Sequence, residues 1–269
     1  MNKYQLLISQ GSTIFLGIVT LLFVTAKRPE LQAQEVDGNT TIEEITEDES
    51  IAVGEEVTVR GEVEEVEPGV SFVLQEEGFL QGDEVLVINV ADEILLEGAE
   101  DLKLQVTGKI GQLILADVEA EYGLTFDRDL YVEYENQPVI LATNMVLSPD
   151  IEDVSEDPEK FYDLEIALQG EVDEIRSDYT FTLAEDELFE GDDLLIINAT
   201  GEPLPETDEN IVVTGVVRPY IKAEFEKDYD LTWDLGVQEE VEAEYTEKPV
   251  LVVDSIYPSA EDDDLGLLD

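Results

Sequence analysis

Displaced by 109 residues, the sequence falls on itself, and this duplication constrains the fold more than any other feature. At that offset Ile42-Glu43 meets Ile151-Glu152, Thr46-Glu47-Asp48 meets Ser155-Glu156-Asp157, and Gly61-Glu62-Val63 meets Gly170-Glu171-Val172. Phe72 meets Phe181, Gly82-Asp83 meets Gly191-Asp192, Ile88-Asn89 meets Ile197-Asn198, and Pro149 meets Pro258. Short indels then change the offset to 107 and 111. Thr107-Gly108 matches Thr214-Gly215, Tyr122 matches Tyr229, Phe126 matches Trp233, and EYENQPV from Glu133 matches EYTEKPV from Glu244. Matches sustained over a hundred residues read as two copies of one structural unit. The expected organisation is a targeting or anchor segment with its linker over 1–34, a first copy over 35–149, a second over 150–258, and an acidic tail over 259–269.

Within each copy the pattern is mainly β. EEVTVRGEVEEV, from Glu55, alternates apolar and polar residues, the signature of a strand with one buried face. Its alternation changes phase around Gly61, where a glycine predicts a bulge or sharp bend. VSFVLQ, EVLVINV, LKLQVTGKI and QPVILATNMVL follow, separated by turn signals such as Pro68-Gly69 and Gln81-Gly82-Asp83. The second copy offers LEIALQGEVDEI, YTFTLA, DLLIINA, NIVVTGVV and KPVLVVDSI. Each copy is thus expected to hold five strands, the first long and broken at a glycine. Between the fourth and fifth strands, Ile114, Val118 and Tyr122 fall four apart, as do Ile221, Phe225 and Tyr229. That spacing predicts one short helix per copy, its apolar stripe serving the core.

Five strands with a long, kinked first strand resemble the oligonucleotide/oligosaccharide-binding (OB) fold, a small Greek-key barrel. V.V.GEV..V.....F.L from Val57 and I.L.GEV..I.....F.L from Ile166 look like the small exported OB-fold domains of bacteria. The resemblance covers roughly residues 42–258. It implies a mainly β chain of two tandem five-stranded OB-like barrels, and says nothing specific about ligand. One departure stands out. Many OB folds carry a helix between strands three and four, whereas here DEILLEGAED is short, GEPLPETDEN is a loop, and the helical pattern follows strand four.

Composition decides which chemistries survive. The chain has no cysteine and no histidine. Disulfides, thiolate catalysis, thiolate metal sites, serine–histidine triads and histidine-ligated zinc are therefore excluded within it. Its 68 acidic residues against 13 basic ones leave a formal charge of −55, spread along the whole chain. Such a surface repels itself at low ionic strength and is tolerated where salt screens it, the Debye length being only about 3 Å at about 1 M. The expectation is an acidic, salt-adapted protein. A nucleic-acid ligand is not expected in spite of the fold: Arg60, Arg176, Arg218 and Lys222 are isolated in sequence, and phosphate binding needs clustered cations. Anionic headgroups are disfavoured for the same reason. Acceptable partners are cations, basic protein surfaces, neutral glycans, or another copy of itself.

Residues 4–26 carry no charge, and Thr13–Ala26 reads TIFLGIVTLLFVTA. With Lys3 before it and small residues at Val24 and Ala26, this reads as a secretory signal peptide. An uncleaved anchor is the alternative, since 23 uncharged residues can span a bilayer that needs about 20. Either places the remainder outside the cytoplasm: secreted, periplasmic or membrane-anchored.

Calcium is the sharpest cation hypothesis, because carboxylates are the hard oxygen ligands it prefers. Asp83 with Glu84, and Asp192 with Asp193, occupy matched turns after Gly82 and Gly191. Asp127 with Asp129, and Asp228, Asp230 and Asp234, follow the helical patterns, but no complete EF-hand loop appears. Tyr131, Tyr134 and Tyr245 are aromatic candidates for sugar or partner contact if exposed, and Phe126 and Trp233 are expected to plug one end of each barrel. No catalytic constellation is recognisable and no cofactor is required. The functional expectation is a non-catalytic binding or interaction module; a calcium-binding structural protein of the cell envelope is the alternative.

Overall fold

The structure is a computed structural model that describes residues 7–8, 39–47, 53–67, 70–76, 83–91, 94–95, 102–185, 193–221, 245–246 and 248–260. Strand β1 (Leu7–Ile8) pairs antiparallel with β5 (Ile94–Leu95). The first half is built from β2 (Glu56–Glu67), β3 (Ser71–Gln75), β4 (Glu84–Asn89), β6 (Lys103–Gln112) and β7 (Pro138–Leu147). The second half is built from β8 (Glu165–Ile175), β9 (Thr180–Ala184), β10 (Leu194–Asn198), β11 (Asn210–Pro219) and β12 (Pro249–Pro258). Among the described residues the α-helices are α1 (Ile42–Glu47), α2 (Leu115–Tyr122) and α3 (Ile151–Glu156).

In the first half β2 pairs with β3, β3 with β4, β4 in parallel with β7, β7 with β6, and β6 back with β2. The ladder therefore closes into a five-stranded barrel, compatible with an OB-like fold. The strands of the second half pair in the same cyclic order: β8–β9, β9–β10, β10–β12 in parallel, β12–β11 and β11–β8.

Gly61 lies where β2 passes from one partner to the other: Glu56–Glu62 face β6, and β3 is engaged from Glu62 onward. A Cβ at Gly61 would run into the carbonyl oxygen of Gln75, and one at Gly170 into that of Ala184. Glycine is required here by the close approach of the neighbouring strand. The register shift itself falls beyond the glycine, between Val63 and Glu65 and again between Val172 and Ile175, which corrects the expected position of the bulge.

One face of each barrel strand serves the barrel core. Val57, Val59, Phe72, Leu74, Val85, Val87, Leu104 and Ile140 point inward and are almost fully buried, as are Ile166, Phe181, Ile196 and Leu251. Each such side chain contributes roughly 1.5–3 kcal/mol of hydrophobic stabilisation. The opposite faces of β3, β4 and β10 are buried too, which is why those strands read as continuous apolar runs.

The helices depart from expectation. α2 lies after the fourth strand as its spacing predicts, but its buried side chains are Leu115 and Val118. Ile114 is the N-cap residue, and it and Tyr122 are exposed, so the predicted stripe is displaced by a residue at its start. Of the matching pattern in the second half only Ile221 is described, and it is exposed. α1 and α3, unread in the sequence, stand before the first strand of each half and bury Ile42, Ile45, Ile151 and Val154 in the barrel core. Thr41 Oγ1 accepts the Glu44 N–H at 3.1 Å, a cap that starts α1. Of the N-terminal apolar segment only Leu7–Ile8 is described; the remainder, and the tail beyond Ala260, lie outside the described residues. No helix among the described residues is long and apolar enough to cross a membrane.

Candidate functional site

OB folds bind their ligands on the outer face of the second and third strands, flanked by the loop between the fourth and fifth. In the first half that face is Val73 on β3 and Leu86 and Ile88 on β4, continued by Val139 on β7. All four are buried, because the segment from Leu113 to Gln137 lies across them. Leu113, Leu115, Val118, Phe126 and Tyr131 complete one apolar cluster with these strand residues. Phe126 packs edge-on to Tyr131, ring centroids 4.9 Å apart and planes at 75°, the geometry the ring quadrupoles favour. Tyr131 reaches back to the strand through a 2.8 Å hydrogen bond between its hydroxyl and that of Ser71.

The segment is tied at its ends and within. Leu113 N–H donates to Gln137 O and Asn136 N–H to Leu113 O, each at 3.1 Å. Gly123 closes α2 in a left-handed conformation, φ 70°. Arg128 bridges to Glu119 at 2.6 Å, and Asp127 accepts the Asp129 N–H at 3.3 Å as a cap. In the second half Leu195, Ile197, Tyr220, Tyr245, Val250 and Val252 form the corresponding cluster on β10 and β12.

Two expectations are corrected here. Phe126 does not plug a barrel end; it covers the outer strand face, and the α1 and α3 side chains fill the core instead. Tyr131 and Tyr245 are 2% and 3% exposed, so neither offers a ring to a sugar or a partner. Tyr134 packs against the same cluster, and Trp233 lies outside the described residues.

Of the predicted carboxylates, Asp83 immediately precedes β4 and Glu84 begins it. Glu84 accepts Gln75 Nε2 at 3.3 Å, and the Asp83 carbonyl accepts the Glu76 N–H at 3.0 Å. Asp193 is exposed beside β10, and Asp192 is outside the described residues, as are Asp228, Asp230 and Asp234. Among the described residues no group of three or more carboxylates is gathered as a metal site requires. Asp254 on β12 has its carboxyl raised above the ordinary range by desolvation, partly opposed by its own backbone hydrogen bond.

The concentrated polar chemistry lies where the halves meet. Arg60, on the outer face of β2, donates through Nε to Ser148 Oγ at 2.8 Å and through a guanidinium nitrogen to Gln169 Oε1 on β8. Ser148 Oγ in turn donates to Ala167 O at 3.0 Å. Tyr257 on β12 donates to Gln105 Oε1 on β6 at 2.7 Å, and Gln105 Nε2 reaches Thr214 Oγ1 on β11 at 3.5 Å. Burial pushes the Tyr257 hydroxyl up to about 12, against the opposing pull of Arg60 and of its hydrogen bonds to Thr214 and Gln105. Val146, Ala167, Val212 and Tyr257 form an apolar cluster beside this network.

Arg60 reads as isolated in the sequence, and Gln105, Gln169 and Tyr257 drew no notice there. No local signal marks them, since their partners lie in the other half of the chain. At the edge of the junction a depression lined by Asn39, Thr40, Thr41, Arg60, Glu76, Gln169 and Ala260 encloses about 10 Å³. That is room for about one water molecule, far below the several hundred Å³ of a small-molecule pocket.

The local geometry thus offers a covered strand face, scattered carboxylates and a polar junction between halves. No protein-family model matches the chain, and no curated protein is significantly similar to it.

Proposed function

We propose that the chain is a non-catalytic interaction module made of two tandem OB-like barrels, exported or membrane-tethered and carrying a salt-adapted acidic surface. The observation that carries this reading is the Leu113–Gln137 segment lying over the strand face on which OB folds take their ligands. The aromatic rings that would stack on bases or sugars are spent inside that cover, and Arg128, the cation within it, is paired with Glu119. What such a module presents to a partner is its acidic exterior, suited to a basic protein surface or to cations and hostile to polyanions. The apolar run Thr13–Ala26 supports export or tethering.

The test is a thermal melt of the full chain across sodium chloride concentrations, repeated with calcium at matched ionic strength. A fluorescent single-stranded oligothymidylate is titrated alongside. A midpoint that climbs with salt, is indifferent to calcium, and is accompanied by no oligonucleotide binding is expected. Oligonucleotide binding at physiological salt would overturn the reading. A calcium-specific rise would favour an envelope calcium protein and direct attention to Asp83 and Asp192.

A further inference from the structure

The junction between the halves pairs each half with its own image. In the first half Arg60, Gln105 and Val146 stand side by side across β2, β6 and β7, Arg60 in register with Gln105 and Gln105 with Val146. In the second half Gln169, Val212 and Tyr257 stand side by side across β8, β11 and β12, in the same registers. The repeat offsets of 109, 107 and 111 carry each member of the first row onto its counterpart in the second. The registers vouch for the offsets independently. The ladder of the first half slips between Thr107 and Gly108, passing from Asn144 to Ala142; that of the second slips between Thr214 and Gly215, passing from Ser255 to Val253.

The contacts across the junction join these rows. Arg60 meets Gln169, its own counterpart. Gln105 bonds Tyr257, and their counterparts Val212 and Val146 share the apolar cluster. Thr58 pairs with Thr107 at 2.9 Å; where the second half has Ala167 beside Thr214, Gln105 of the first half reaches Thr214 instead. The edges match as well. Ser148 N–H donates to Lys103 O and Ser259 N–H to Asn210 O, at 2.9 and 3.0 Å. Leu147 pairs in parallel with Ile166, where the chain runs on into α3. At the equivalent place Asn39, which bridges in parallel to Thr58, donates to Pro258 O at 2.7 Å, so the beginning of one copy meets the end of the other.

We propose that residues 39–260 are a covalently joined homodimer: the outer face of the first, fourth and fifth strands is one self-complementary surface, whose partner is a second copy of the same barrel. In such an isologous interface a contact from position i to position j is matched by one from j to i. The residues named in it include no carboxylate, in a chain where 68 of 269 residues are acidic. Since the junction occupies one face of each half, every other surface is presented twice, and a partner that recognises one acidic face meets a second, tethered one.

The inference rests on reading the halves as copies, and an exchange of counterparts in the full chain tests the symmetry alone. R60Q removes the guanidinium from the first row, and Q169R places one at the matching position, where Ser259 stands as Ser148 does for Arg60. Thermal melts of wild type, R60Q, Q169R and R60Q/Q169R are compared at one salt concentration. Each single variant is expected to lower the midpoint by roughly 4 °C or more, the first by losing its charge-assisted bonds and the second by setting two guanidinium groups face to face. The double variant is expected to recover most of the loss. A double variant that melts at or below the weaker single, or that fails to fold, overturns the proposal. Should R60Q alone not fold, recovery or failure of the double still decides. A failed exchange with β-rich circular dichroism retained counts against the symmetry and leaves the barrel reading standing.

Discussion

Replacing Tyr257 by Phe removes a single oxygen from the junction between the halves, and its consequences have a definite sign at two pH values. At neutral pH the loss leaves Gln105, itself 6% exposed, without the donor at 2.7 Å to its Oε1. A buried acceptor deprived of its partner costs about 1–3 kcal/mol. The second effect comes from ionisation. The Tyr257 hydroxyl is raised from 10.0 to about 12 in the folded chain, first because burial desolvates the phenolate. A folded-state value above the unfolded one means that the stabilisation is complete below about pH 10 and is lost as pH rises through about 12. Its full size is roughly 3 kcal/mol, from about 1.4 kcal/mol per tenfold change in proton affinity. Phenylalanine does not ionise, so this loss is absent from the variant. Urea melts followed by circular dichroism, between about pH 8 and about pH 12 at constant ionic strength, should show wild type ahead at the lower end. The two proteins should then converge or cross at the upper end. The other tyrosines titrate in both proteins and cancel in the difference. A stability difference that stays constant across this range would refute the burial of Tyr257 against the Gln105 network.

Phe126→Ala should cost about 3–5 kcal/mol, as for other buried aromatic truncations, and should raise binding of a hydrophobic dye as Val73, Leu86 and Ile88 lose their cover. Gly61→Ala sets a methyl against the Gln75 carbonyl, a backbone atom that cannot step aside, and should lose about 2 kcal/mol or more by chemical denaturation; Gly170→Ala should behave alike against Ala184. Asp254→Asn should raise the melting midpoint slightly at neutral pH, because the fold disfavours that carboxylate. Wild type should close the gap as pH falls through the raised value, and a gap that widens instead would contradict the sign.

The strands were legible because their information is local. Alternation in EEVTVRGEVEEV and the unbroken runs VSFVLQ and EVLVINV each reappear as strands within a residue or two, since a period of two needs no knowledge of the partner. Five strands were expected in each half, and the strands of the two halves pair in the same cyclic order. Less legible were α1 and α3, six residues each, too short to show a helical period against an acidic background. Their apolar positions, Ile42 with Ile45 and Ile151 with Val154, take meaning only from the core they join.

Sequence alone determined the mainly β character, the absence of histidine and cysteine chemistry, and the acidic charge, because each is a property of composition or of near-neighbour order. Tertiary structure decided which surfaces remain available. Nothing local shows that Phe126 and Tyr131 turn back over β3 and β4, or that Arg60 of one half finds Gln169 of the other. Those pairings join residues far apart in the chain. They are settled by which apolar faces the folded strands leave to be covered, a matter on which the order of residues along any one segment is silent.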